Sequence, residues 1–199
     1  MAARKSAQKE KMAKHAPVPS MDDASALFLA SPRASSLPIK AKVVKTEKEN
    51  DLVSLITLDI QLPMAMPGQF VMAWVPGMDE KPMSVAEVKP SLQLAIARAG
   101  PCSKKLAEAK VGDVMFVRGP LGKPFWPSGK SWLMVGGGYG FAPLRYMARV
   151  GLENGCSVQS ICGARNSGLL MKEAPGKNVQ TTDDGSRGVK GNVIVALEP

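Results

Sequence analysis

The sequence predicts an antiparallel β-barrel or sandwich followed by an α/β unit with a parallel sheet, and two observations support this. Between residues 39 and 119, short β-branched segments with partly alternating apolar positions are separated by polar or Pro/Gly turns, a pattern typical of antiparallel β structure. After Pro127, strand-like and helix-like segments alternate, which favours parallel strands joined by right-handed crossovers. We therefore expect two architectures in one chain.

The first half contains six predicted strands and one predicted helix. The strand-like segments are residues 39–46, 51–60, 69–75, 83–88, 92–99 and 113–119. The helix is predicted over residues 103–110, and Ser103 is a suitable N-cap because its hydroxyl can accept a backbone N–H.

The second half begins with the apolar run 131–135, which is typical of a strand buried on both faces. Four glycines follow within residues 136–140, and a helix is predicted from Ala142, with Pro143 in its first turn and Gly155 beyond its end. Residues 156–165 predict a second strand, residues 167–173 a short helix and residues 178–184 a third strand.

Composition limits the class of protein. The chain has 199 residues, 45% of them hydrophobic, so a core of ordinary size can form. No apolar run approaches the roughly 18 residues of a membrane-spanning helix, and we expect no membrane association. Three cysteines are too few for a disulfide scaffold. Free thiols, twelve methionines and the lack of a signal peptide predict a cytoplasmic protein.

Residues 1–36 are predicted to form a disordered basic tail. The first 15 residues contain five Lys or Arg side chains against one acid, and the formal net charge of the chain is +9. Large apolar residues are sparse in this segment, so it cannot build a core. The segment gives little support to nucleic-acid binding, because no aromatic interleaving and no binding module follow it.

The glycine-rich turn after the predicted strand 131–135 is the first candidate site. Gly136, Gly137, Gly138 and Gly140 precede a helix, and a helix N-terminus offers free N–H groups to a diphosphate. The spacing departs from the strict dinucleotide fingerprint, and Arg165 lies near the position where a ribose-binding acid would be expected. The alternative is a tight strand-to-helix turn that binds no ligand.

Three further motifs lie in or beside the predicted barrel. Residues 81–84 place Lys81 and Ser84 at the start of a strand, where a cation and a hydroxyl can hold a diphosphate. Residues 100–106 form a turn that leads into the short helix. Residues 119–125 form a turn-dense link between the two halves. Taken singly, these are also explained as a surface lysine, a helix cap and a linker.

Taken together and in this order, the four motifs resemble those of the ferredoxin–NADP reductase superfamily. In that family an antiparallel Greek-key barrel binds a flavin, and a following α/β domain binds a nicotinamide nucleotide. Within it, the segments PGQFVM, GPLGKPF, VGGGYGFAPL and TDDGSRGVKG are most similar to the electron-transfer subunit of NAD-linked dihydroorotate dehydrogenase. The resemblance covers residues 38–197. It implies a FAD-binding barrel at residues 37–124 and a truncated, Rossmann-like NAD-binding domain at residues 125–199.

The resemblance also implies two sets of cofactor-binding residues. Those expected to contact FAD are Gln69, Phe70, Lys81, Pro82, Met83, Ser84, Gly100, Cys102, Ser103, Gly119 and Gly122. Those expected to contact NAD are Gly137, Gly138, Gly140, Pro143, Asp183 and Asp184. The two adjacent acids favour NAD over NADP because they would repel a 2′-phosphate, whereas Arg165 favours the opposite. No catalytic side chain and no metal ligand are expected.

Three departures from the family pattern qualify these expectations. Lys81 replaces the usual Arg and cannot form a bidentate clasp on a diphosphate. Met83 occupies a position where many members place an aromatic ring. The family's [2Fe–2S] centre needs four thiolates, and Cys102, Cys156 and Cys162 cannot supply that set. Truncation, a split gene and a variant without the cluster all remain open as explanations.

The resemblance implies a flavoprotein subunit that passes electrons between FAD and NAD(H) in pyrimidine biosynthesis. Its expected partner is the FMN-containing catalytic subunit of dihydroorotate dehydrogenase, with a separate iron–sulfur chain if the gene is split. Two alternatives are a diaphorase module of a hydrogenase or sulfur reductase complex, and a non-catalytic flavin-binding module.

Overall fold

The computed structural model describes residues 37–125 and 127–197. The predicted basic tail, residues 1–36, lies outside this range. Within the described residues, no helix is long and apolar enough to cross a membrane.

Six strands close into a barrel in the first half. They are β1 Ile39–Lys48, β2 Val53–Leu58, β3 Phe70–Trp74, β4 Lys81–Glu87, β5 Gln93–Ala97 and β6 Val114–Leu121. Their order around the barrel is β1-β2-β5-β4-β3-β6, and every neighbouring pair is antiparallel. Of the two predicted alternatives, the barrel is confirmed and the sandwich is not, because the sheet closes on itself.

The barrel core follows from the alternation of side chains along each strand. In β3, Val71 and Ala73 point inward and are fully buried, while Phe70, Met72 and Trp74 point outward and are half-buried. Each large apolar side chain buried in this way contributes about 1.5–3 kcal/mol. The sequence pattern alone therefore assigns the inner and outer faces of the barrel.

Helix α1 spans Pro101–Ala107, and its N-cap is Gly100 rather than the predicted Ser103. The helix begins earlier because proline suits the first helical turn, where a missing N–H is not needed. Ser103 instead lies inside the first turn, where its hydroxyl oxygen accepts hydrogen bonds from the N–H groups of Ala99 (3.1 Å) and Gly100 (3.0 Å).

The second half is a four-stranded parallel sheet with one long helix. Its elements are β7 Ser131–Gly137, a 3₁₀ turn Gly138–Phe141, α2 Ala142–Glu153, β8 Ser157–Ala164, β9 Lys177–Thr182 and β10 Val189–Lys190. The strand order is β10-β9-β8-β7. The predicted parallel α/β architecture is therefore confirmed.

The prediction that residues 131–135 are buried on both faces was wrong. Among the described residues, β7 pairs with β8 only and forms an edge of the sheet. Met134 is buried, whereas Leu133 is 53% exposed and Val135 is 36% exposed. A continuous apolar run cannot distinguish a central strand from an edge strand whose outer face lacks a neighbour.

The predicted helix over residues 167–173 was also wrong. The chain forms one 3₁₀ turn at Ser167–Leu169 and then continues in extended conformation. Leu170 and Met171 are buried in the core as part of this extended segment. Pro175 follows closely, and proline disfavours helical conformation in the residue before it.

Candidate functional site

A cleft of about 330 Å³ lies between the barrel and the carboxyl ends of β7, β8 and β9. The barrel contributes Asn50, Leu52 and Val53, which lie in and after the turn that joins β1 to β2. The sheet contributes residues from the glycine turn and from both neighbouring strand ends, namely Gly137, Gly138, Tyr139, Gly163, Ala164, Arg165 and Asp183. In parallel α/β sheets, ligands bind at this end of the strands.

The glycines of the turn serve two different purposes. A Cβ on Gly136 would lie 2.8 Å from Cδ1 of Leu144 and 3.2 Å from Cα of Phe141, so this glycine lets the strand and helix pack closely. Apart from the adjoining backbone and chain neighbours, no described atom lies within 4 Å of a Cβ built on Gly138 or Gly140, and a Cβ on Gly137 would meet one carbonyl oxygen at 4.0 Å. These three glycines therefore leave a cradle in which a ligand can approach the backbone.

The turn leads directly into α2. Gly138 has a φ of +52°, which favours glycine, and the 3₁₀ turn ends at Phe141, whose side chain is fully buried. Ala142 begins α2, and Pro143 lies in its first turn, as predicted. The Ala142 N–H donates to the carbonyl of Tyr139, so the helical segment effectively begins at the 3₁₀ turn. The first N–H groups of such a segment have no intrahelical partner, which suits this end to an anion.

Asp183 and Asp184 fold back onto the end of β8. The Asp183 N–H donates to the carbonyl of Ala164 (3.1 Å), and the Asp184 N–H donates to the carbonyl of Arg165 (3.2 Å). The hydroxyl and the backbone N–H of Ser186 hold the pKa of the Asp184 carboxyl below its ordinary value. Asp183 lines the cleft, and Asp184 closes the turn that follows β9.

Two of the predicted flavin-binding motifs, at Lys81 and at Gly100, lie at one end of the barrel, whereas Gly122 lies near Phe70 at the start of β3. Strands β4 and β5 are antiparallel neighbours, so Lys81 at the start of β4 and Gly100 after the end of β5 lie at the same end of this pair. The Lys81 Nζ lies 3.7 Å from a carboxylate oxygen of Asp79. Ser84 is exposed and is paired with Phe70 across β3 and β4, and Pro82 is exposed on the same face.

Two residues that were expected to contact the flavin are buried, and their side chains contact other parts of the protein instead. Gln69 is buried, and its amide donates to the carbonyl of Gly122 (3.0 Å) and accepts from the N–H of Met66 (2.9 Å). Met83 is buried in the barrel core, where it lies opposite Val71. Met83 therefore supports the barrel wall from within, and Gln69 joins the turn at Met66 to Gly122.

Gly119 lies within β6 and Gly122 directly follows it, with positive φ angles of +149° and +79°. A Cβ on Gly122 would lie 2.9 Å from Cε1 of Phe70, so this glycine makes room for the ring. Phe70 is thereby held half-exposed beside Ser84.

Of the residues predicted to contact NAD, the cleft brings together Gly137, Gly138 and Asp183, whereas Gly140, Pro143 and Asp184 lie outside its lining. Lys81 and Ser84 also lie outside it. Strand β5 contacts the 3₁₀ turn Gly138–Phe141, which links the two regions. Leu52 and Val53 were not among the predicted site residues. Nothing in the hairpin sequence signals that its turn reaches the sheet.

The chain is similar to curated electron-transfer proteins. It is 35% identical over 158 residues to the probable dihydroorotate dehydrogenase B (NAD(+)), electron transfer subunit, of Methanocaldococcus jannaschii, covering 77% of this chain and 60% of that protein. The protein of the same name from Thermococcus kodakarensis is 40% identical over 129 residues, covering 63% and 54%. The chain thus spans about three fifths of the length of the curated relatives it matches. No family model matches the sequence.

Solved structures share the fold. An NADH-dependent reduced ferredoxin–NADP oxidoreductase, described in work on flavin-based electron bifurcation, has a TM-score of 0.71 and 29% identity, covering 79% of this chain and 61% of that one. The ferredoxin reductase of carbazole 1,9a-dioxygenase has a TM-score of 0.68 at 22% identity, covering 81% and 56%. The second likeness concerns the fold alone.

Proposed function

We propose that the chain, as a member of the ferredoxin–NADP reductase superfamily, forms the FAD- and NAD-binding part of an electron-transfer subunit that serves a dihydroorotate-oxidising enzyme. The observation that carries the proposal is the open glycine cradle, in which Gly137 and Gly138 face the barrel across a cleft and Gly140 has open space at its Cβ position. The names of the curated relatives support the choice of partner enzyme.

We propose that residues 125–199 bind the nicotinamide nucleotide. The diphosphate would lie against Gly137, Gly138 and Gly140, and the N-terminus of α2 at Pro143 would supply partial positive charge. Asp183 and Asp184 would lie near the adenosine ribose, where their negative charges disfavour a 2′-phosphate. We therefore propose NAD rather than NADP as the nucleotide.

We propose that residues 37–124 bind FAD on the outer face of the barrel. Lys81, Ser84 and the backbone N–H groups of Cys102 and Ser103 would hold the diphosphate by charge and hydrogen bonds. Phe70, which rests against Gly122, and Pro82 would border the flavin ring. Gln69, Met83, Gly100 and Gly119 would act indirectly, since they shape the strands that carry these groups.

A bound flavin supplies the means to exchange a hydride with the nicotinamide and to exchange electrons singly with another carrier. The protein's own part is to orient the two ligands and to keep water from the gap between them. We propose that the apolar side chains of Leu52 and Val53 do the latter on the barrel side. Such a transfer gains its rate from proximity, so no side chain of this chain needs to act as a general base.

The direct test is to purify the chain with added FAD and to measure NADH-dependent reduction of ferricyanide. We expect a yellow protein whose flavin is bleached anaerobically by NADH. A colourless protein that FAD cannot reconstitute would contradict the proposal. Bound flavin that NADH cannot reduce would instead favour the non-catalytic flavin-binding module.

The partner is tested separately by co-purification. We expect the chain to bind the FMN-containing catalytic subunit of dihydroorotate dehydrogenase and to let NAD accept electrons from dihydroorotate. Capture of a hydrogenase or sulfur reductase subunit would favour the diaphorase alternative. An iron–sulfur chain as a second partner rests on the resemblance alone.

A further inference from the structure

A buried ion pair connects the wall of the cleft to the helix that follows the glycine turn. Resting on the proposed function, we propose that Glu49 and Arg145 are positioning residues, which fix the barrel wall at Leu52 and Val53 relative to the nucleotide-binding turn. They would thereby set the distance between the two bound ligands.

Glu49 lies in the turn between β1 and β2, and its side chain is completely buried. One carboxylate oxygen accepts from Nη1 of Arg145 and from the N–H of Lys172 (2.7 Å). The other is buried without a hydrogen-bond partner among the described groups, with the Lys172 Nζ 3.8 Å away. A buried carboxylate depends strongly on such partners, because the interior does not solvate its charge.

Asn50, the residue after Glu49, links this turn to the wall of the cleft through hydrogen bonds. Its side-chain oxygen accepts from the N–H groups of Leu52 and Val53, at 2.9 Å each. Its amide donates to the carbonyl of Leu169 (2.9 Å), which also borders the cleft. The turn thus inserts into the α/β half, and the two residues of the cleft wall are hydrogen-bonded to it.

Arg145 links Glu49 to the other side of the cleft. It lies in the first turn of α2, which begins at Ala142, directly after the 3₁₀ turn Gly138–Phe141. A shift of Arg145 along or around the helix axis would therefore move the glycine cradle.

A second set of contacts keeps the halves together independently. Arg149, one helical turn later, forms two hydrogen bonds to Glu87 at the end of β4 (2.6 and 2.7 Å), and the Tyr146 hydroxyl donates to the carbonyl of Ala65 (2.8 Å). Loss of the pair between Glu49 and Arg145 should consequently change the spacing across the cleft while the barrel and sheet remain docked.

The test compares Arg145→Ala and Glu49→Gln with Glu47→Ala in the full chain loaded with FAD. Glu47 provides a matched control, because it lies two residues from Glu49 and pairs with Lys45 on the barrel surface, where such pairs have little energetic effect. The readouts are bound flavin per chain, the anaerobic rate of flavin reduction at saturating NADH, and the long-wavelength absorbance of the nicotinamide–flavin contact. Arg145→Lys provides the conservative replacement.

We expect Arg145→Ala and Glu49→Gln to keep their flavin but to reduce it about 10- to 100-fold more slowly at saturating NADH, since small misplacements have effects of this size. The long-wavelength absorbance should weaken in both, Arg145→Lys should recover part of the rate, and Glu47→Ala should match the wild type. Unchanged rates in both variants would overturn the proposal. If Arg145→Ala loses its flavin, Glu49→Gln decides by the same criterion.

Amide hydrogen exchange on the chain without ligands supplies a readout that does not depend on activity. We expect faster exchange at residues 50–53 and 137–140 in Arg145→Ala than in Glu47→Ala, with α2 itself still protected. Equal exchange at both segments would overturn the positioning role. A wild-type chain that binds no FAD would instead contradict the proposed function, while leaving this exchange result decisive for the ion pair.

Discussion

The glycines after β7 show how single residues of one type divide into packing and binding roles. Gly136 lies against Leu144 and Phe141, whereas Gly140 has open space where a side chain would be. The glycine pattern predicts a turn and favours it as a nucleotide-binding site. It cannot assign these separate roles, because the neighbours of Gly136 come from the packing of α2 against β7.

This difference predicts opposite effects for two alanine substitutions. Gly140→Ala should weaken NADH binding roughly tenfold, because the methyl group fills the cradle, and should change the unfolding free energy by less than about 0.5 kcal/mol. Gly136→Ala should lower stability by about 1–3 kcal/mol, because Leu144 and Phe141 must move. Titration with NADH and urea unfolding measure the two effects. The reverse assignment would contradict the division.

Asp184 gives a prediction about pH. Its folded pKa is lowered by Ser186, so the stabilisation is complete above the ordinary carboxyl pKa and is lost as pH falls through the folded pKa. In Ser186→Ala, the loss of the hydroxyl should raise the Asp184 pKa toward 3.8. Carbon NMR of the carboxyl group measures the pKa, and an unchanged midpoint would show that the Ser186 hydroxyl is not a cause.

At the scale of elements, alternation predicted the strands of the barrel, and helical spacing predicted α2. It did not predict the exposed face of β7 or the extended segment after Ser167–Leu169, since both depend on which neighbours are present. The contact between Asn50 and Leu169 joins residues 119 positions apart. No local pattern in either segment encodes it.

Helix α1 gives the prediction at this scale. Ser103→Ala removes the acceptor for the N–H groups of Ala99 and Gly100, and we expect a loss of about 1 kcal/mol of unfolding free energy. Lys105→Ala, at an exposed position of the same helix, should change stability by less than about 0.5 kcal/mol. Urea unfolding compares the two, and equal values would contradict the capping role of Ser103.

At the scale of the whole molecule, a closed barrel is joined to a sheet with an open edge. The strands of the barrel have no free edge, whereas β7 exposes Leu133 and Val135 and, among the described residues, pairs on one side only. Such an edge favours pairing between chains.

We therefore expect the chain to self-associate as its concentration rises, as measured by sedimentation velocity. Leu133→Lys should reduce this association, because a charge on an edge strand opposes pairing. Val111→Lys adds the same charge at a 64% exposed position outside the strands and should leave association unchanged. Equal effects of both variants would attribute the change to net charge instead.

The packing of helix α2 also limits which amino-acid substitutions this segment can accept. One side of the helix is fitted to the sheet, where a Cβ on Gly151 would meet the Trp132 ring at 2.6 Å, and Ala148 is fully buried. Another side holds Arg145 and Arg149 against the barrel. Only a narrow strip that includes Leu152 faces solvent. Neutral drift in this segment is consequently confined to a few positions, and replacements elsewhere in it require compensating changes in both halves at once.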